Sequence, residues 1–507
     1  MDMDTYIGMW GWIWVVAFLV LFIGIGFWGM KKTKNDEDFA VARGAYGPIT
    51  LAFAFAATIA SGATFMSVPG MAYSKGFAAI WYPATYPIAI YVGMILAIKL
   101  IKRAGDKFRS NSLPEFLGQR YNSNFLRIAF ALVSILLVYY IAAQIVAAAT
   151  IFEVLLGLNY QHGILVSVAV IALYITMGGS HADIMTDGIQ GVMMVLIALI
   201  IAAIFFMGVG FEGTGPSLIN DALVKQDPSL GWDNYFKEGD ILFGSFWVIS
   251  LIFVAHIPFA MNPHIGKLAF ALKDPKQIRT FMLIAIPVGS ILGFTVLGGL
   301  HARALFGADI RPDAAIPVLF TQLFPPFVAG LLGVGVLSAI MSTSDGLFIS
   351  IAVIFSNDLY KKTFAPVIHK HKSKEQIEQI ALNTSRVAIV LVGVVACWLA
   401  WEPPQFLAVL LWMGVGGILS GATGPLLIGS LWRRATKSGA IASFLVGVIG
   451  FGASVIYCFV FKDVPYKNPF VIAGLSIIAA AVTMIVVSLL TKRLPQAHVD
   501  DMFGESA

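Results

Sequence analysis

Charge, cysteine and long polar segments are all scarce in this sequence. Only 12% of its 507 residues are Asp, Glu, Lys or Arg, whereas about a quarter of the residues of a soluble protein are charged. The two cysteines, Cys397 and Cys458, lie in apolar runs, so they offer neither a disulfide framework nor the spacing of a metal site. No polar segment is long enough to form a soluble domain of useful size, which argues against an attached kinase or hydrolase.

Hydrophobic residues make up 58% of the chain, and its mean hydropathy is +0.84. A bilayer core ~30 Å thick requires about 20 apolar residues per helix, and runs of that length differ from the short alternating strands of a membrane barrel. We therefore predict an all-α integral membrane protein with about 13 transmembrane helices. The predicted spans are residues 9–30, 47–73, 77–101, 126–156, 160–178, 186–209, 243–271, 280–305, 325–356, 384–401, 404–431, 438–461 and 468–491.

Basic residues predict the orientation of these spans. If the N-terminus is outside, 26 of the 33 Lys and Arg residues fall in inward segments, as the positive-inside rule requires. We therefore predict a multi-pass protein of the cell (inner) membrane, with its N-terminus outside and its C-terminus in the cytoplasm. Asp2 and Asp4 precede the first run in place of a basic region, which favours a true span over a cleaved signal. The net charge of +5 then reflects topology, and no nucleic-acid partner is expected.

Two of the predicted spans contain breaks. "ATIASGATFMSVPG" (57–70) has Ala-Ser-Gly at its middle, and "AHIPFAMNPH" (255–264) contains Pro258 and Pro263, which remove backbone donors and free carbonyls. Paired broken helices in the two halves of a transporter mark its binding site. Because the breaks lie five helices apart, we expect inverted repeats over helices 2–6 and 7–11. A pair of ordinary proline kinks is the alternative.

The segment "SAIMSTSDG" (338–346) places oxygen-bearing side chains at the middle of an apolar helix. Ser342, Thr343, Ser344 and Asp345 lie at the same predicted depth as the Ala-Ser-Gly break. Hydroxyls and freed carbonyls suit a small hard cation such as Na⁺. Hydroxyls that bond back to their own helix are the plainer alternative. That alternative does not explain Asp345, because carboxylates inside a membrane are costly and usually functional.

Five motifs resemble, in their order along the chain, landmarks of the sodium/solute symporter family. They are "SGATFMSVPG" (61–70), "GGSHADIMTDGIQ" (178–190), "NPHIGK" (262–267), "AIMSTSDGLF" (339–348) and "NDLYKK" (357–362). The resemblance covers residues 10–490 and implies a leucine-transporter-like fold with a five-plus-five inverted-repeat core. It also implies Na⁺-driven solute uptake by alternating access, with Na⁺ as the coupling ion and no organic cofactor.

That fold divides the chain into five regions. These are an outer N-terminus with helix 1 and an inner loop (1–46), a first repeat of helices 2–6 (47–210), an outer loop (211–242), a second repeat of helices 7–11 (243–431), and helices 12–13 with a cytoplasmic tail (432–507).

The resemblance also implies ligands for sodium. Carried over position by position, the shared sodium site comprises the backbone carbonyls of Ala57, Ala60 and Ala339 and the hydroxyls of Ser342 and Thr343.

A second cation or proton site is implied by some relatives. They bind a second sodium with an acid that corresponds to Asp187, together with Ser342 and two further serines. This chain has Asp345 and Gly346 at those two positions, so Asp187 and Asp345 are the candidates here.

The solute is indicated by residues that this chain lacks. Proline-transporting relatives carry an Asp where this chain has Ile59, sialic-acid relatives carry an Arg on the helix that here offers Gln144, and sugar-transporting relatives line helices 2 and 3 with Asn, Gln and Glu. The sequence resembles the pantothenate and short-monocarboxylate branch, including an "AWEPP"-like stretch at 400–404. We therefore expect a small organic anion.

A half-helix N-terminus favours anions, so free amides near Gly62 to Thr64 are expected to hold the carboxylate. Aromatic side chains would enclose the organic part, although each aromatic residue taken singly is more often a packing residue. The candidate solute-binding residues are Ser61, Gly62, Thr64, Phe65, Trp81, Tyr82, Tyr86, Gln144, His256, Phe259 and Asn262.

Three classes of function remain open at this point. The first is a symporter for a monocarboxylate, a pantothenate-like anion, an amino acid or another small solute. The second is a sodium-permeable channel or a solute sensor without coupled transport. A membrane enzyme is disfavoured, because the sequence contains no nucleophile–base pair or metal-ligand spacing. The expected partners are a small solute, sodium and the lipid bilayer, and the sequence gives no indication of the oligomeric state.

Overall fold

The computed structural model describes residues 3–34, 36–402, 407–460 and 468–504. Asp2 and the end of the 400–404 motif lie outside these described residues. The described chain contains ten helices long and apolar enough to cross a membrane, one further apolar pair bent by 52°, and two shorter apolar helices, Pro48–Ile59 and Tyr160–Ile171. Every predicted run has a helical counterpart among them, and no strand occurs in the described residues. The predicted all-α membrane fold is confirmed.

We number the α-helices of eight or more residues from α1 to α19. The first nine are α1 Met3–Lys32, α2 Pro48–Ile59, α3 Val68–Lys75, α4 Trp81–Phe108, α5 Leu113–Arg120, α6 Asn124–Ser134, α7 Leu137–Leu156, α8 Tyr160–Met207 and α9 Ser217–Gln226. The other ten are α10 Phe246–His256, α11 Gln277–Leu292, α12 Thr295–Phe306, α13 Ala315–Leu323, α14 Pro326–Val353, α15 Lys374–Leu399, α16 Leu407–Ala422, α17 Lys437–Val460, α18 Pro469–Leu490 and α19 Gln496–Phe503.

Shorter helical segments join these helices. Short α-helical turns cover Asp36–Ala40, Pro263–Gly266, Leu268–Ala271, Ala365–Ile368 and Gly429–Leu431. Turns of 3₁₀-helix cover Gly76–Ile80, Pro228–Leu230, Ile257–Met261 and Pro312–Ala314, and π-helical segments cover Ala63–Ser67, Ile354–Phe364 and Thr423–Ile428.

Both predicted breaks are present. The first predicted broken span divides into α2 and α3, which are separated by residues 60–62 and the π-helical Ala63–Ser67. In the second, α10 continues through Ile257–Met261 and then turns by 52° into Pro263–Ala271. Pro263 begins the last segment, where a missing backbone donor costs least. A third distortion interrupts α8 at Gly179, whose φ of 55° and ψ of −150° are not helical.

Helix α14 lies at the centre of the molecule, since every residue from 332 to 353 is buried. Helix α15 instead exposes Val390, Leu391, Val394 and Trp398, as expected of a helix that faces lipid. The predicted oxygen-bearing segment 342–345 is thus inside the bundle.

Two glycines let the broken spans touch neighbouring helices through the backbone. A Cβ atom added at Gly93 of α4 would lie 1.7 Å from the Ile257 carbonyl oxygen, and one added at Gly299 of α12 would lie 1.9 Å from the Pro69 carbonyl oxygen. No side chain fits at either contact, which is why small residues are needed where helices approach this closely.

The loop between α8 and α10 is held against the start of α4. Trp81 Nε1 donates to the Tyr235 carbonyl at 2.8 Å, and the Trp81 ring stacks on Phe236. Lys75 Nζ lies 2.6 Å from the Asp240 carboxylate. These contacts fix the loop over the end of the first broken span.

Candidate cation and solute sites

The break between α2 and α3 deprives two backbone carbonyls of their helical partners. In a continuous helix, the amide four residues later would donate to each of Ala57 and Ala60. Here the amide of Ser61 donates to the Ile59 carbonyl at 2.9 Å, and the amide of Thr64 donates to the Ser61 carbonyl at 2.8 Å. The Ala57 and Ala60 carbonyls, both predicted sodium ligands, therefore lose these donors at the break.

Helix α14 brings hydroxyl groups to the same break. Thr343 Oγ1 donates to the Thr58 carbonyl at 3.1 Å. Ser342, Thr343 and Ala339 are fully buried, and the Ser342 hydroxyl makes no hydrogen bond of normal geometry among the described residues. Ser344 differs, because its hydroxyl donates to a carbonyl of its own helix at 2.7 Å. Of the predicted hydroxyl ligands, Thr343 contacts α2 directly.

Three carboxylates meet beside the break, and we call them the acid cluster. One oxygen from each of Asp183, Asp187 and Asp345 lies within 4.8 Å of the others, and all three residues are buried. Thr58 Oγ1 donates to Asp187 Oδ2 at 2.9 Å, which joins the acid cluster to α2. Lys267 Nζ lies 2.9 Å from Asp183 Oδ2. The structure thus brings Asp187 and Asp345 together.

Sequence reasoning missed Asp183 and Lys267 as members of this site. Asp183 precedes Asp187 by four residues on α8, a spacing that places both on one helix face, so a signal was available. Lys267 lies 84 residues from Asp183 along the chain, and no local pattern connects the two.

A cavity next to the break is the candidate solute site. It contains about 320 Å³ of space between protein atoms, part of which is open to solvent. Six of the predicted solute-binding residues line it: Ser61, Thr64, Tyr82, Tyr86, His256 and Phe259. Seven further residues line it that were not among the candidates: Ile59, Ala63, Val68, Ile90, Tyr140, Leu411 and Trp412.

The other five candidates lie outside the lining of this cavity. Trp81 contacts the loop between α8 and α10 instead. Phe65 and Asn262 are fully buried, and Gly62 and Gln144 bond to each other through the Gly62 amide and Gln144 Oε1 at 2.9 Å. None of the five lines the cavity.

The expected free amides at the half-helix N-terminus are occupied, and this expectation was wrong for the present conformation. Besides the Gly62 amide, the amide of Ala63 donates to Ser61 Oγ at 3.1 Å and that of Thr64 donates to the Ser61 carbonyl. A buried donor left unpaired is costly, so nearby oxygens satisfy these groups. A carboxylate would have to displace Gln144 to reach the Gly62 amide.

Hydroxyls and one imidazole supply the polar surface of the cavity. His256 Nδ1 lies 2.7 Å from the Ile252 carbonyl, which can only accept, so Nδ1 carries the proton. In the neutral ring Nε2 is then an acceptor, and the Tyr82 hydroxyl at 3.2 Å donates to it. The Tyr86 and Thr64 hydroxyls lie 3.2 Å apart. No Asp, Glu, Lys or Arg side chain is among the described residues that line the cavity.

Comparison with known sequences relates this chain to a family. The family model described as "Sodium:solute symporter family" matches residues 39–447. The sodium/pantothenate symporter of Escherichia coli (strain K12) is 27% identical over 447 residues, which cover 85% of this chain and 88% of the relative. The high-affinity proline transporter of Bacillus subtilis (strain 168) is 27% identical over 501 residues, which cover 95% of this chain and 98% of the relative.

Comparison with solved structures supports the fold. A Na⁺-coupled sialic acid symporter in a substrate-bound, outward-open state matches with a TM-score of 0.75 and 18% identity, covering 97% of this chain and 100% of that chain. The nucleobase-cation-symport-1 family transporter Mhp1, in a closed conformation, matches with a TM-score of 0.51 and 15% identity, covering 92% of this chain and 97% of that chain. At these identities the likeness concerns the fold alone.

Proposed function

Because this chain belongs to the sodium:solute symporter family, we propose that it couples the entry of Na⁺ to the import of a small organic anion. The anion is a monocarboxylate or a pantothenate-like acid, and transport proceeds by alternating access between the two inverted repeats, residues 47–210 and 243–431. One observation supports this solute class above others: the cavity has hydroxyl donors and apolar walls, and no charged side chain is among the described residues that line it.

In this proposal the coupling ion lies between α14 and the break that separates α2 from α3. Its ligands are the carbonyls of Ala57, Ala60 and Ala339 and the hydroxyls of Ser342 and Thr343. Neutral oxygens of this kind suit a hard monovalent cation. The Thr343 hydroxyl already lies against α2, so little rearrangement is needed to bring it to the freed carbonyls.

The solute lies directly next to this ion. Ser61 lines the cavity and follows Ala60 in the chain, so a cation at the break supplies the positive charge that the cavity lacks. A carboxylate is then compensated by the ion and by the hydroxyls of Ser61, Thr64 and Tyr86. An amino acid would bring an ammonium group as well, and the part of the cavity wall that the structure describes contains no carboxylate to receive it.

The Asp187 and Asp345 pair serves as a second cation site in this proposal and flanks the route by which sodium leaves toward the cytoplasm. The Thr58 hydroxyl connects Asp187 to α2, one residue from the Ala57 carbonyl. An ion that leaves the break therefore meets this pair first.

The test measures Na⁺-driven uptake of labelled pantothenate into proteoliposomes and its inhibition by short monocarboxylates, by proline and by a neutral sugar. We expect uptake that requires sodium and is inhibited by carboxylates only. Ile59 lines the cavity and provides a matched pair of variants. Ile59→Asp places a negative charge beside the anion and should weaken its apparent affinity by tenfold or more, whereas the neutral Ile59→Asn should weaken it far less.

Sodium-driven uptake of proline or a sugar that no carboxylate inhibits would overturn the solute assignment. Solute-independent sodium flux without counterflow of labelled solute would identify a channel and overturn the symport mechanism.

A further inference from the structure

The acid cluster contains more carboxylate groups than a sodium site needs. Three carboxylate oxygens within 4.8 Å of one another, all buried, are typical of sites for hard divalent cations such as Ca²⁺ or Mn²⁺. A transporter coupled to Na⁺ gains nothing from such a site, because a divalent ion held by three carboxylates would leave slowly. A residue near the acid cluster must therefore disfavour the binding of divalent cations.

Unsatisfied oxygen atoms indicate that the acid cluster is a binding site and not only a structural network. Oδ1 of Asp183 and Oδ1 of Asp187 are buried and have no hydrogen bond of normal geometry among the described residues, and the same is true of the fully buried Ser342 hydroxyl. The Ser342 side chain lies beside Asp187. Buried polar atoms of this kind are rare unless a ligand or water satisfies them.

Lys267 provides one positive charge at this cluster. Its ammonium lies 2.9 Å from Asp183 Oδ2, and the side chain is only 6% exposed. It also lines a second cavity of about 240 Å³, together with Asn111, Ser112 and Ser350. The imidazole of His264 lies near the same ammonium. Lys267 is therefore the nearest cation to the acid cluster among the described residues, and it is covalently tethered there.

We propose that Lys267 is the residue that restricts the acid cluster to a single monovalent cation. The Lys267 ammonium pairs with the Asp183 carboxylate, and Asp187, Asp345 and the Ser342 hydroxyl bind Na⁺. A divalent ion would therefore lack Asp183 as a ligand and would be repelled by the positive charge of Lys267. This inference rests on the proposed second cation site and adds what sets its selectivity. Asp183 acts through Lys267 as a positioning residue.

The test measures Mn²⁺ binding to the purified transporter by electron paramagnetic resonance, in the absence of any solute. We expect the wild-type protein and Lys267→Arg to bind Mn²⁺ weakly. Lys267→Gln keeps a hydrogen-bond donor for Asp183 but removes the charge, and we expect it to bind one Mn²⁺ roughly 100-fold more tightly. Asp183→Asn/Lys267→Gln, which has one carboxylate fewer, should lose this gain.

Equal Mn²⁺ affinity in the wild-type protein and Lys267→Gln would overturn the proposal, as would tight Mn²⁺ binding by the wild type. If Lys267→Gln does not give folded protein, Asp183→Asn supplies a separate measurement. It releases the ammonium toward the other two acids, so the sodium concentration for half-maximal binding should rise about tenfold, and an unchanged value contradicts the proposal. A failure of the proposed function would instead appear as absent Na⁺-driven uptake in the wild-type protein.

Discussion

Three consecutive hydroxyl residues on α14 differ in what their side chains bond to, and this difference predicts different effects of mutation. Ser342 has no hydrogen bond of normal geometry among the described residues, and Thr343 donates across to α2. We expect Ser342→Ala and Thr343→Ala each to remove one of about five sodium ligands and to weaken sodium affinity about tenfold, which corresponds to about 1.4 kcal/mol. Apparent solute affinity should fall as well, because coupling between two sites is reciprocal.

The matched control for these variants is Ser344→Ala. Its hydroxyl bonds within its own helix, so its loss should leave sodium dependence unchanged. Sodium-dependent uptake at several sodium concentrations measures all three variants. The assignment fails if the three variants behave alike, or if the first two retain wild-type sodium dependence.

The hydroxyls and Asp345 could be predicted because they occur in a local pattern, whereas Asp187 was implied by the family resemblance. Polar atoms at the middle of an apolar run have a functional reason more often than not, and the sequence displays them directly. Lys267 could not be found in this way, since only the folded chain brings it to Asp183. The hydrogen bonds of the Gly62 and Ala63 amides also could not be predicted from the sequence, because one of their acceptors is the side chain of Gln144 on another helix.

The segment between α12 and α13 contacts several elements near the first broken span. Asp313 Oδ1 accepts from Ser67 Oγ at 3.4 Å, and its Oδ2 accepts from the amide of Leu407 at the start of α16. Arg311 pairs with Glu153 of α7 at 2.7 Å. This short segment therefore joins α7, α16 and the segment that leads into α3.

Burial raises the pKa of Asp313 from its ordinary value of 3.8 to about 6, although the Leu407 amide, the Ser67 hydroxyl and the charge of Arg311 each lower it. The folded protein therefore binds this proton more tightly than the unfolded chain does. The stabilisation is complete below about pH 4 and is lost as the pH rises through 6. Its size is on the order of 3 kcal/mol.

We expect Asp313→Asn, which resembles the protonated acid, to unfold at a higher temperature than the wild type at pH 8 and to show a flatter dependence on pH between 5 and 8. Thermal unfolding in detergent measures this. Asp309→Asn on the same segment is the control, because Asp309 is exposed. A wild-type pH dependence that survives in Asp313→Asn would show that another group is responsible.

The two helix breaks were predicted at the right places because Pro, Gly and Ser act locally on backbone hydrogen bonds. The 3₁₀ and π segments were not predicted, and the predicted boundary between spans 160–178 and 186–209 takes the form of a bend at Gly179 within α8. Their geometry depends on the helices packed against them, which a single sequence does not display.

For the whole molecule, the distribution of Lys and Arg predicts that the loop between α8 and α10 is outside and the segment between α14 and α15 is inside. In a background with Cys397 and Cys458 replaced by Ser, we expect Glu238→Cys to react with an impermeant maleimide in intact cells. His371→Cys should react only after permeabilisation. Both positions are exposed, so the difference reports the side of the membrane.

Labelling of His371→Cys in intact cells, with protection of Glu238→Cys, would reverse the topology. It would then also reverse the direction assigned to the sodium exit route, although the acid cluster and the cavity would be unchanged.

The contact between Gly299 and the Pro69 carbonyl has a mechanical consequence. Where two main chains touch with no side chain between them, a close-packed interior leaves no room for one to slide along the other. We therefore expect α3 and α12 to move together as one unit. The hinge for this movement would be residues 60–62, where the helical hydrogen bonds are already interrupted. An ion bound by the carbonyls at this hinge would lie at the point about which the two helices turn. Ion binding and helix movement would therefore be directly coupled.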